Sequence, residues 1–112
     1  MGQSTNNHAA TVITLEGQVR TGAAVDGLRA KVEASINAGQ PRVIVDMSKV
    51  TSLDSSGIGV LVRSLTLLKQ QGGTLKLVGL PQGVSQTLKI TGVLRLFEVF
   101  PQVSDAMISF TL

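Results

Sequence analysis

The chain has 112 residues, enough for one domain with its own core and too few for two. It has no cysteine, which excludes disulfides, thiolate metal sites and cysteine nucleophiles, and its single histidine, His8, has no partners nearby for a metal site or a triad. The formal net charge is +3, but the ten Lys and Arg are scattered singly and the three Phe are not interleaved with them, so direct nucleic-acid binding is not expected.

Residues 1–10 are polar, rich in Asn, Gln, Ser and Thr, and read as a flexible tail ahead of a domain over residues 11–112. They lack a basic region ahead of an apolar stretch, so they do not read as a signal peptide. No apolar run approaches the roughly 20 residues that span a bilayer. A cytoplasmic protein without membrane insertion is therefore expected.

Thr11 to Val19 alternates and is rich in β-branched residues, which predicts a strand. From Gly22 to Ala38 the period changes. Val25, Leu28, Val32 and Ile36 recur at three- and four-residue steps with charges between them, the pattern of an amphipathic helix. Gly39 and Pro41 end it. Val43-Ile44-Val45 is continuously apolar, as expected of a strand covered on both faces, within Arg42 to Met47. Ser48 to Ser56 is polar and reads as a turn. Gly57 to Gln71 is helical, with Ile58, Leu61, Leu65 and Leu68 as its buried stripe and Val62 beside it. Gly72-Gly73 closes that helix, and Thr74 to Val78 reads as a further strand. Pro81 opens a helix that buries Val84 and Leu88. Leu96 to Phe100 reads as the last strand, and Val103, Ala106, Met107 and Phe110 fall on one face of a C-terminal helix. Strands alternating with helices imply βαβ units and a mainly parallel sheet.

Asp54-Ser55-Ser56-Gly57 follows a buried strand and opens a helix. Ser and Asp are favoured at helix N-caps because their oxygens accept the orphan N–H groups of the first turn. The same N–H groups and the helix dipole tolerate an anion. Local chemistry thus leaves two readings open, a structural cap or a serine that can carry a phosphate.

The longer run VDMSKVTSLDSSGIGVLV resembles the signature of STAS domains, the family of anti-sigma factor antagonists, from Asp46 to Leu61. KQQGGTLK, Lys69 to Lys76, is similar to the family's Gly-Gly turn into its third core strand. TGVLRLF, Thr91 to Phe97, is similar to a later family segment, and the matches fall in the family's order. The resemblance implies an α/β, single-domain STAS-like fold, with a mostly parallel sheet of four to five strands packed against four helices. It implies a protein that binds an anti-sigma factor when unphosphorylated and is released by phosphorylation on Ser55. That partner is a serine kinase with a histidine-kinase-like ATPase fold, and a phosphatase is a further partner of the cycle. Asp54, Ser55, Ser56, Gly57, Ile58 and Gly59 are the partner-binding residues this implies. In the family an acidic residue stands in a Gly-Glu-Leu-Asp segment that contributes to partner contact. The corresponding run here is Gly17-Gln18-Val19-Arg20, so Arg20 joins the expected partner surface with its charge reversed, and the partner's identity stays open.

Val60, Leu67 and Met47 lie off the main stripes and fit either core or interface. Arg63 and Lys69 fit a solvated face or an acidic partner. No enzyme is expected: Asp46, Asp54 and Ser55 have no nearby base, and no phosphate-binding loop follows the glycines. No catalytic residue, cofactor or metal is implied. The alternative function on the same fold is a scaffold or accessory subunit of a signalling or lipid-transport complex without a phospho-switch.

Overall fold

The computed structural model of the chain describes residues 10–111. The tail expected over residues 1–10, with His8, lies outside them except for Ala10. That residue is half-buried against the C-terminal helix. Four strands, β1 (Thr11–Val19), β2 (Arg42–Leu53), β3 (Thr74–Val78) and β4 (Val99–Phe100), form one sheet in the order β1-β2-β3-β4. All three pairings are parallel. Four α-helices alternate with them: α1 (Ala23–Asn37), α2 (Ser55–Gln70), α3 (Gln82–Ile90) and α4 (Val103–Ser109).

The continuous apolar run of β2 is covered on both faces. Val43, Val45 and Met47 point into the main core beneath α1, α2 and α3, with Leu28, Leu61, Leu65, Leu68 and Leu88 above them. Ile44 points the other way and meets Val78 and Ala106 under α4. That smaller side also contains Lys76, buried on β3. Its ammonium donates to Ser109 Oγ at 2.7 Å, pairs with Glu98 at 3.3 Å and lies 4.0 Å from the centre of the Phe110 ring. Among the turns, Gly72 takes φ +84°, and a side chain on Gly73 would collide with the Pro41 carbonyl.

Three expected element limits need correction. The turn expected over Ser48 to Ser56 is mostly strand, because β2 continues to Leu53 paired with β1. Its polar residues face solvent on a two-stranded ribbon beyond β3, while Val50 and Leu53 stay buried. Helix α2 begins at Ser55 rather than Gly57. The strand expected over Leu96 to Phe100 is reduced to Val99–Phe100, preceded by a 3₁₀ turn over Leu94–Leu96. That turn bends the chain so that it meets β3 only at Leu77 and Val78.

Helix α2 buries Leu61, Leu65 and Leu68 of the expected stripe, and its buried face extends to one side of them. Val60 and the small residues Gly57 and Ser64 go in, whereas Ile58 and Val62 are half-buried. The reason is packing on two sides: the helix must fit both the sheet and α1. Val60 and Met47, at 5% and 0% exposure, are therefore core residues.

Candidate functional site

The ribbon of β1 and β2 delivers the chain to the start of α2, and Asp54 is the N-cap there, in extended backbone. Its Oδ1 accepts from the Gly57 N–H at 3.0 Å and from the Ser56 hydroxyl at 2.6 Å. The Ser56 hydroxyl, then the Gly57 N–H, and to a smaller extent the nearby Arg20 charge, hold the Asp54 carboxyl below its ordinary pKa, against a small opposing effect of desolvation. Capping is thus carried by Asp54 with Ser56 as its support. Ser55 is exposed, and its hydroxyl has no hydrogen bond among the described residues.

The end of β1 fixes this turn in space. The Asp54 N–H donates to the Val19 carbonyl at 3.3 Å. Gly57 is pressed against that same carbonyl: a Cβ there would stand 2.5 Å from the Val19 oxygen and 2.6 Å from Leu53 Cδ1. Only glycine fits without displacing backbone. The sequence pattern did not single out Val19 or Leu53, and the signal that could have found them is the glycine itself, three residues after the cap.

Of the residues expected at the site, Asp54, Ser55, Ser56 and Gly57 form one connected turn, and Arg20 reaches it electrostatically. Ile58 packs half-buried against the main core, and Gly59 is exposed on the next turn. Arg63 and Lys69 are exposed further along α2, and Leu67 is half-buried.

A four-stranded parallel sheet with a capped helix presenting a free serine at its first residue defines a small α/β domain. The STAS domain family model matches residues 3–106, and the chain belongs to that family. A candidate anti-sigma factor antagonist of Thermotoga maritima is 31% identical over 72 residues, 64% of each chain. The chain thus matches just under two-thirds of that relative's length. BtrV of Bordetella bronchiseptica, also a candidate anti-sigma factor antagonist, is 30% identical over 88 residues, 79% of this chain and 75% of that one. Among solved structures, the anti-sigma factor antagonist SpoIIAA in its unphosphorylated form has a TM-score of 0.79 at 21% identity, covering 94% of this chain and 90% of that one. The phosphorylated form of the Bacillus SpoIIAA has a TM-score of 0.71, also at 21% identity, over 92% of each chain. At that identity the likeness is one of fold. Among the described residues, no helix is long and apolar enough to cross a membrane.

Proposed function

We propose that this chain is an anti-sigma factor antagonist of the cytoplasm. It binds an anti-sigma factor when unphosphorylated and releases it on phosphorylation of Ser55. The observation that carries the reading is the free, exposed Ser55 hydroxyl beside a cap that is complete without it. Capping by Asp54 does not use the Ser55 hydroxyl, which leaves it accessible to another protein. SpoIIAA, which shares the fold, is a protein with both a phosphorylated and an unphosphorylated form. The partner is a serine kinase of the histidine-kinase-like ATPase type, and a phosphatase resets the serine. The chain acts by binding and not by catalysis.

Energetics favour a switch at the surface. A phosphoserine adds about −1.5 to −2 charge at neutral pH. The helix dipole returns about 0.3–1 kcal/mol, and the Asp54 carboxylate opposes that gain. The domain therefore keeps its fold. Placing like charge against a partner costs several kcal/mol, and each 1.4 kcal/mol is tenfold in affinity.

The test is incubation with purified anti-sigma kinases and ATP, followed by mass spectrometry and binding measurements. Phosphate is expected on Ser55, with Ser55→Ala binding but unmodified and Ser55→Asp losing roughly tenfold or more in affinity. Equal binding by wild type and Ser55→Asp, or phosphate on another residue, would sink the reading.

A further inference from the structure

Helices α1 and α2 meet along a groove of about 480 Å³. Val32 from α1 and Val60 and Ser64 from α2, all buried, form its floor. Its walls carry Arg29 and Glu33 from α1 and Arg63 and Leu67 from α2. Both arginines are exposed, and neither has an ion pair or hydrogen bond among the described residues. Glu33 follows Arg29 by one helical turn yet does not pair with it. The groove therefore presents two unengaged planar guanidinium forks over a floor of two valines and a serine. Such forks suit a carboxylate, which they can grip through paired N–H donors.

Helix α2 connects the groove to Ser55. Arg63 follows Ser56 by about two helical turns, which puts both on one face about 10 Å apart along the axis. Gly59 lies between them on that face and is exposed. Among the described residues, nothing requires glycine at this position. Its φ is not positive, and a Cβ built there would have no atom within 4 Å. Gly57, two residues earlier, has no such freedom. A glycine within a helix weakens it relative to alanine. What it supplies at position 59 is a bare stretch of helix on which another backbone can lie.

The charges along this path are positive on balance. Arg20 stands at the Ser55 end of the surface and Arg29 and Arg63 at the other, against one acidic lining residue of the groove, Glu33, while Asp54 is already engaged by Ser56 and Gly57. We propose that the α1–α2 groove is the second half of the partner surface. A segment of the anti-sigma factor crosses Gly59, sets an apolar side chain against Leu67 and places an acidic side chain between Arg29 and Arg63. This rests on the reading of Ser55 as the partner-facing serine and adds a contact the phosphate does not touch. Ser55 switches binding off; the groove selects which partner binds.

Affinity is measured between the full chain and each purified anti-sigma factor by titration calorimetry, with circular dichroism confirming the fold of every variant. Arg29→Glu and Arg63→Glu are each expected to weaken binding roughly tenfold or more. Gly59→Ala is expected to weaken it similarly while raising the thermal midpoint, a combination that a purely structural glycine would not give. Wild-type affinity should fall with added salt, and the Arg29→Gln/Arg63→Gln double variant should flatten that dependence. If Ser55→Asp loses binding while all groove variants bind as wild type, the groove is overturned and the Ser55 reading stands. If the groove variants lose binding and Ser55→Asp does not, the groove stands and the switch fails. Binding to no anti-sigma factor at all overturns both.

Discussion

The two faces of the sheet are closed by different means. On one, α1, α2 and α3 lie over a continuous aliphatic cluster running from Ile13 and Val43 to Leu77 and Leu88. On the other, α4 is a helix of seven residues whose only fully buried side chain is Ala106. It stops short of β1, where Val12 remains 42% exposed and Thr14 and Glu16 face solvent. At its centre the thin side has a tethered charge, Lys76, in place of further aliphatic depth. The helix that presents Ser55 is seated on the thick side. Deep apolar contact holds α2 in register, whereas a small apolar cluster and one polar tether serve a helix that covers the sheet.

The largest expected effect breaks the thick side. Leu61 is fully buried on α2, so Leu61→Ala should cost about 4 kcal/mol in urea unfolding, since the surrounding core cannot fill the cavity. A loss under about 1 kcal/mol would show that the core relaxes freely and would contradict the comparison. A smaller effect is expected on the thin side. Lys76→Ala removes the bond to Ser109, the pair with Glu98 and the ring contact with Phe110. It should cost about 2 kcal/mol and speed amide exchange in α4 while leaving α2 unchanged. Lys76→Met keeps the buried stem and should lose less. Exchange that rises equally in α2 would mean the two faces are not separable.

The smallest effect belongs to the cap. The folded Asp54 carboxyl is held below its unfolded value, chiefly by the Ser56 hydroxyl and the Gly57 N–H. Its contribution is therefore fully present above the ordinary carboxylate pKa near 3.9 and is lost as pH falls through the depressed folded value. Thermal midpoints across that acid range should fall for wild type and fall less for Asp54→Asn. Identical slopes in the two proteins would remove the cap from the account.

Much of the fold was legible because its punctuation is strong. Strand β3 lies between Gly72-Gly73 and Gly79, and its five residues were read at their true limits. Helices α1 and α3 were placed within a residue or so by Gly22, Gly39, Pro41 and Pro81. The stretch from Ser48 to Leu53 misled because a two-stranded ribbon wets most of its side chains. Two register shifts in its pairing with β1 also remove the clean alternation that marks a strand. The burial phase of α2 was hidden for another reason. Ile58, Val60 and Val62 are equally apolar in sequence, and only contact with α1 selects Val60. At the site, the motif pointed to Ser55, but which residue caps the helix needed geometry. The groove was illegible: Arg29 and Arg63 belong to different helices and come together only through packing.

The seating of Gly57 on the Val19 carbonyl has a practical consequence for protein engineering. The serine-bearing turn is not a portable cassette. Grafting residues 54–59 alone into another domain of this fold would transplant the residues and lose their placement, because the template lies at the end of a different strand. The transferable unit is discontinuous: the close of β1, the close of β2 with Leu53, and the first turn of α2 must move together.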